Sequence, residues 1–505
     1  MVYFYPVRGY HLILVMLFAT FSGFSQNEAN WWYFGNKCGI DFNQTPPVAH
    51  NNGGLNTLEG CSGFSNKTTG ALMLYTDGQS VWDRNHNVMT NGTGLLGSQS
   101  SSQSGLVIPQ PGSTTKFWLF TVPTNTRTGL RYSEIDMSLR SGLGDVVSTR
   151  KNDTLGNFNV SDRLTAVQHR NGRDYWVFVQ DDVNWDIVAF LITSTGVSHN
   201  PVRSSVTRPT GVTGTAGHLG CMKSSPDGSK FATATFRHSF VGLFNLNNAT
   251  GRLSGQITIH NPSYLRFAPY GVEFSPNSNV LYVDGQHVYQ YNVSTMTSTN
   301  VINSEIKIDS SKSVWGQLQL APDLKIYQSR MSSTHLGRIN DPDNLGHACN
   351  FVDTGFAIKT GSTIRLGLPA FLQSIFNTTT LEVSNSCVNY QTVISVKDTG
   401  VVDSVRYDYG DPASGASNTS WNKLDSHVFN APGKYPVTAF AFYTDPNTNK
   451  LVRDTLIDTV EVLAPPRIWL GNDTTICDAD SIYITRLDTM PGKFYWWDSV
   501  ETRGH

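Results

Sequence analysis

Charge is what this chain has least of. Only 15% of its 505 residues are Asp, Glu, Lys or Arg, against about a quarter in ordinary soluble domains. The 37 Lys and Arg nearly cancel the 39 Asp and Glu, leaving a formal net charge of −2. A dedicated nucleic-acid binder carries a basic domain or stripe, so nucleic acid is not an expected partner. Cysteine is sparse too: Cys38, Cys61, Cys221, Cys349, Cys387 and Cys477 form no C-x-x-C pair. That spacing excludes a zinc ribbon and a disulfide scaffold, while leaving room for one or two bridges, of which Cys38–Cys61 is the expected one. Apolar runs of spanning length are missing after the N-terminus, so the mature chain should hold no transmembrane segment. Nucleophile elbow, P-loop, dinucleotide fingerprint, H-E-x-x-H and EF-hand patterns are all missing. No catalytic residue is assigned from the sequence, and the expectation is a protein that is not an enzyme.

What the sequence does contain is enough for a core. Hydrophobic residues make up 39% and aromatics 11%, and abundant Asn, Ser and Thr suit short strands joined by turns. The first 25 residues read as a secretory signal: Arg8, then the apolar stretch Leu12-Ile13-Leu14-Val15-Met16-Leu17-Phe18-Ala19, then Gly23 and Ser25 before Gln26. Small residues at those two positions mark a cleavage site, so the protein is expected to be secreted or held at the cell surface.

From Gln26 onward, β-rich runs recur about every 50 residues. Ser225-Pro226-Asp227-Gly228-Ser229-Lys230-Phe231-Ala232 is echoed by Ser275-Pro276-Asn277-Ser278-Asn279-Val280-Leu281-Tyr282 and by Ala321-Pro322-Asp323-Leu324-Lys325-Ile326-Tyr327. Proline presets φ for a turn and Asp or Asn closes it with a side-chain hydrogen bond. Strands at this period imply the blades of a propeller. The fold class expected is therefore all-β: about seven blades over 26–380, then a small Ig-like sandwich over 381–463. A stiff linker follows over 464–469 through Ala464-Pro465-Pro466, and an incomplete Ig-like unit over 470–505, which reads as truncated. Ring closure is expected from Trp31-Trp32-Tyr33-Phe34 and Ile40-Asp41-Phe42 completing the sheet begun by Leu366-Gly367-Leu368-Pro369-Ala370-Phe371-Leu372, which removes a free edge.

Trp32-Tyr33-Phe34-Gly35-Asn36, Asn56-Thr57-Leu58-Glu59-Gly60-Cys61, Leu74-Tyr75-Thr76-Asp77-Gly78 and Tyr270-Gly271-Val272-Glu273-Phe274-Ser275-Pro276 together resemble the N-terminal propeller of large surface proteins of gliding Bacteroidetes. The match runs through 27–377. The next region is similar to a polycystic-kidney-disease (PKD) domain: Tyr407-Asp408-Tyr409-Gly410-Asp411 stands for its W-D-F-G-D motif, and His427-Val428-Phe429 with Pro432-Gly433-Lys434-Tyr435-Pro436-Val437 for its second segment. Pro412 departs from the family's glycine. The resemblance implies delivery by type IX secretion, although no C-terminal sorting domain is visible.

The first strand of each blade lines the axis, where a ligand site would form. The residues expected there are Glu59, Gln103, His218, Glu273, Gln317 and Arg365, a polar ring able to hold a divalent cation or a small polar ligand. Calcium is the one cofactor considered, here or on Asn340-Asp341-Pro342-Asp343-Asn344; otherwise none is expected. Asp77, Asp83, Asp227 and Asp323 read as turn caps rather than paired glycosidase carboxylates. The function expected is binding or adhesion to an extracellular glycan or protein. A propeller hydrolase of lactonase type and a gliding- or secretion-machinery component are the alternatives.

Overall fold

The computed structural model describes residues 27–464, apart from 125–127, 172, 218, 261–267, 310–315, 378–379, 385, 398–401 and 445–450. The signal segment 1–25 and the unit expected over 470–505 lie outside the described residues. Strands dominate, and among the described residues the one α-helix is the six-residue Ser298–Asn303. The chain divides into two compact units, Met1–Thr378 and Thr379–His505.

In the first unit the repeated turns set the architecture. The Ser225 amide donates to the Lys230 carbonyl at 2.9 Å, the Lys230 amide donates to Ser225 Oγ at 2.9 Å, and Asp227 Oδ1 accepts from the Ser229 amide at 3.0 Å. The second copy repeats this with Ser275, Val280, Asn277 and Asn279 at 2.9, 3.1 and 2.9 Å. In the third, Ala321 donates to the Lys325 carbonyl and Asp323 Oδ1 accepts from the Lys325 amide. A short polar side chain thus replaces a backbone acceptor in each turn. Each turn opens a four-stranded antiparallel sheet. The first is Met222–Ser224, Lys230–Thr235, Phe240–Asn247 and Arg252–His260. The second is Gly271–Phe274, Val280–Asp284, Val288–Asn292 and Ile306–Lys307. The third is Leu318–Leu320, Ile326–Gln328, His335–Ile339 and Phe351–Ala357.

Upstream, Cys61–Ser65, Leu72–Thr76, Ser80–Asp83 and Val88–Thr93 form a similar sheet. The two units between are fused by one 16-residue strand, Asp153–Gln168, which pairs with Thr128–Asp136 in its first part and with Tyr175–Asp181 in its second. Its register against Tyr175–Asp181 shifts between Val160 and Leu164, and such irregularities re-aim side chains.

The first strands of successive sheets lie beside one another in chain order, and residues 366–370 close the series. The Gln317 amide donates to the Leu366 carbonyl at 3.1 Å, and the Leu366 amide to the Leu58 carbonyl at 2.9 Å. Closure differs from the sequence expectation in one respect. Pro369–Ala370 runs parallel to Cys61–Ser65, with Pro369 opposite Cys61, whereas Trp31–Phe34 heads its own sheet with Cys38–Asp41 and Val48–His50. Proline has no amide to give a ladder, and Ser62 Oγ secures the junction by donating to the Ala370 carbonyl at 2.8 Å. The ends nevertheless meet. Asn36 and Thr363 exchange both backbone hydrogen bonds, at 2.9 and 3.0 Å. Trp32, fully buried, packs its ring against Phe42, Tyr327 and Phe371 with centroids 4.9–6.0 Å apart, the range in which aromatic pairs add to simple burial.

The second unit faces two sheets across one core. Thr380–Val383, Gln391–Lys397 and Leu424–Val428 form one; Ser386–Cys387, Leu451–Leu463, Gly433–Thr444, Ser404–Asp408 and Thr419–Ser420 form the other. Ile394, Val405, Tyr407, Phe429, Val437 and Val460 fill the space between them. The two motifs singled out in the sequence meet here: His427 Nε2 lies 2.9 Å from Asp411 Oδ2, and the imidazole stacks on Tyr409 with centroids 4.3 Å apart.

Candidate functional site

Five inner strands begin just after a polar or reactive residue, Glu59, Gln103, Cys221, Tyr270 and Gln317, and the sixth, Asp153–Gln168, carries Asp162 and Arg163 at its register shift, just before it resumes pairing with Tyr175–Asp181. Because these positions are equivalent, they gather at one end of the axis, and all are buried. Their side chains span the ring. Gln103 takes both hydrogen bonds of a single residue on another sheet, Nε2 donating to the Met222 carbonyl at 3.1 Å and Oε1 accepting from its amide at 2.9 Å. Gln317 Nε2 donates to the Ser102 carbonyl, and its Oε1 accepts from the Leu368 amide at 2.8 Å. Asp162 Oδ2 accepts from the amide and hydroxyl of Ser102 at 3.1 and 3.2 Å. The Arg163 guanidinium donates to the carbonyls of Ala234 and Gly217.

Two or three residues further along three of these strands lies a second layer. Lys223 Nζ sits 3.0 Å from Glu273 Oε2 and also bonds Gln319 Oε1. Glu273 in turn accepts from the amides of Phe274 at 2.9 Å and Leu320 at 3.0 Å. The carboxylate is thus met by one cation and two backbone donors, which is what a charge this deeply buried requires.

Burial dominates the electrostatics of the upper layer. It pushes the Glu59 carboxyl up to about 8, aided by the neighbouring Asp162 and opposed by the nearby Tyr270 hydroxyl. Asp162 is raised to about 7 by burial, against the pull of Arg163 and of the Ser102 donors. Burial raises Glu273 as well, with Lys223 opposing. Among the described residues, Glu59 Oε2, Asp162 Oδ1, Asp182 Oδ2 and Arg163 Nε are buried without a hydrogen-bond partner. Two carboxyl groups that keep their protons near neutrality, beside a fixed guanidinium, can give or take a proton or bind the hydroxyls of a small polar molecule.

The expected site residues are placed unevenly. Gln103 and Gln317 belong to one strapped network, and Glu59 lies beside it. Glu273 belongs to the layer below with Lys223. His218 lies outside the described residues. Arg365 is half-buried on the closing segment, outside both networks. Cys38 and Cys61 are separate buried thiols instead of the expected bridge, and burial pushes both upward, Cys38 to about 12. In the loop considered for calcium, Asp343 Oδ1 accepts from the Asn277 amide at 3.0 Å and Asp341 Oδ2 from Asn350 Nδ2 at 3.2 Å. Among the described residues no group of three His, Cys, Asp or Glu side chains could hold a metal. Asp77, Asp83, Asp227 and Asp323 all accept backbone amides within their turns. The residues missed were Asp162, Arg163, Lys223 and Tyr270. Their signal was present: a charged pair inside the run Val160–Val167, and a lysine between Met222 and Ser224.

No family model and no curated protein matches the chain. Among solved structures it aligns with a periplasmic gluconolactonase of Pseudomonas aeruginosa, at 14% identity over 77% of this chain and 95% of that one, with a TM-score of 0.31. A candidate 6-phosphogluconolactonase of Bacteroides uniformis aligns at 12% identity over 79% and 96%, TM-score 0.33. The extracellular domain of a candidate hybrid two-component system of B. thetaiotaomicron aligns at 12% identity over 82% and 56%, TM-score 0.33. Likeness at this level transfers no activity and no ligand. It does correct one expectation: with lactonases among these neighbours, the exclusion of catalysis drawn from missing motifs does not stand. Among the described residues no helix is long and apolar enough to cross a membrane.

Proposed function

We propose that this chain is an exported surface protein whose propeller of about seven blades, residues 26–380, binds an extracellular glycan or protein. Residues 1–25 are its secretion signal, and 381–463 a PKD-type spacer. A linker over 464–469 leads to a further Ig-like unit from 470, the arrangement of gliding-associated Bacteroidetes surface proteins. The observation that carries this reading is the pair of cross-ring straps at Gln103 and Gln317. They tie inner strands from distant parts of the chain into one rigid body, and a rigid scaffold displaying loops is the usual basis of a binding surface. The test is to immobilise the exported chain and expose it to a glycan array and to outer-membrane extract. Retention of a defined glycan or surface protein is the expected result. Recovery of secretion or gliding subunits would move it into that machinery, and retention of nothing would sink the binding reading.

A second reading, hydrolysis of lactones or esters, is favoured by the raised carboxyl groups of Glu59 and Asp162 beside Arg163. In that reading a protonated carboxyl serves as general acid. Lactone turnover abolished by both Glu59→Gln and Asp162→Asn would establish it; turnover unchanged by either would remove it.

A further inference from the structure

Away from the axis, the outer strands of two adjacent sheets border a crevice of about 400 Å³ lined by Ile308, Asp309, His347, Phe351, Val352 and Asp353. Ile308 and Asp309 directly follow the outer strand Ile306–Lys307; Phe351, Val352 and Asp353 open the outer strand Phe351–Ala357; His347 is exposed on the turn Gly346–Cys349. Three side-chain clamps hold these walls. Gln290 brackets the loop before His347, its Nε2 donating to the Asn344 carbonyl and its Oε1 accepting from the Gly346 amide, both at 2.7 Å. Arg330 Nη1 donates to both the carboxylate and the carbonyl of Asp353, at 2.6 and 3.0 Å. His287 Nδ1 lies 3.0 Å from Asp309 Oδ1, and the second oxygen of that buried carboxyl has no hydrogen-bond partner among the described residues.

The geometry points to a binding site for a hydroxyl-rich ring, a sugar residue, seated in this crevice. The inference rests on the reading of the chain as an extracellular binding protein and narrows its ligand and its place. A sugar presents hydroxyls that donate and accept together with an apolar C–H face. The crevice offers the matching set: the Asp353 carboxylate as acceptor, His347 able to donate or accept, and Ile308, Phe351 and Val352 as the apolar wall, with the buried Asp309 behind them holding His287. Its volume is in the range of small-ligand sites, which are commonly preformed.

The test is saturation-transfer NMR on the exported chain with the methyl glycosides of glucose, galactose, mannose and N-acetylglucosamine. Two variants are compared with the unaltered chain: His347→Ala, at an exposed position, and Val352→Arg, which fills the crevice from its exposed rim. Binding of at least one glycoside, weakened about tenfold or more by either variant, supports the site. Glycoside or glycan-array binding that both variants leave unchanged overturns the site while leaving the binding function intact. A chain that retains neither glycan nor protein fails both. Circular dichroism of the variants separates loss of binding from loss of fold.

Discussion

At the scale of single residues, Glu59 carries the clearest consequence. Its carboxyl sits at about 8 in the folded chain against an ordinary 4.5, so the folded state holds this proton more tightly than the unfolded one. A group of this sign contributes stability that is full below about pH 4.5 and is lost as the pH rises through 8. Asp162, raised to about 7 from 3.8, acts in the same direction. Glu59→Gln keeps a neutral, hydrogen-bonding side chain and removes the titration. The expected outcome is a melting temperature that falls between pH 5 and pH 8.5 in the parent chain and falls less in the variant. Parallel curves for the two would show that Glu59 ionises normally. The turn residues stand at the opposite extreme of legibility. Asp227 and Asn277 were readable because each closes its turn with amides two residues away. Gln103 binds Met222, 119 positions along the chain, and Gln317 binds Ser102, 215 positions away. Periodicity can place these glutamines on an inner strand, but it cannot name a partner that far off.

At the scale of elements, the inner strands are joined by polar groups as well as by packing. Lys223 and Glu273 lie on the first strands of adjacent sheets and are both nearly inaccessible. Removing one member strands the other as a buried charge, so Lys223→Met should cost about 3–5 kcal/mol. Adding Glu273→Gln should recover much of that loss, because a neutral amide oxygen still accepts from the Phe274 and Leu320 amides. The urea midpoint of the double variant is expected above that of Lys223→Met alone; a lower midpoint would mean that the two changes act independently. The fused strand Asp153–Gln168 shows why one element escaped the sequence reading. Its two halves serve different sheets, so the 50-residue repeat counts it as a break. The register shift that lets it do so also holds Asp162 and Arg163, which appear in the sequence only as an unexplained charged pair within an apolar run.

At the scale of the whole molecule, closure of the ring governs where every axial residue lies, and it can be tested without disturbing the axis. Asn36 and Thr363 face each other as a hydrogen-bonded antiparallel pair, for which the Cα atoms stand about 5.5 Å apart, within the span of a disulfide. Asn36→Cys with Thr363→Cys is therefore expected to form an intramolecular bridge under mild oxidation. Cys38 is close in sequence, but burial holds its thiol at about 12, and a protonated thiol exchanges slowly. Chain-entropy arguments assign about 4.7 kcal/mol to a loop of roughly 100 residues and more to a longer one. The bridge spans nearly the whole first unit, so its oxidised form should melt well above its reduced form. Sequence alone located both ends of this junction and paired them with the wrong strand, because Pro369–Ala370 takes a partner 308 positions away, parallel to Cys61–Ser65, and so distant a pairing leaves no local signal. Formation of bridges only between molecules would place the two ends apart in solution, and the strapped layers at Gln103, Gln317 and Glu273 would then have no common axis to surround.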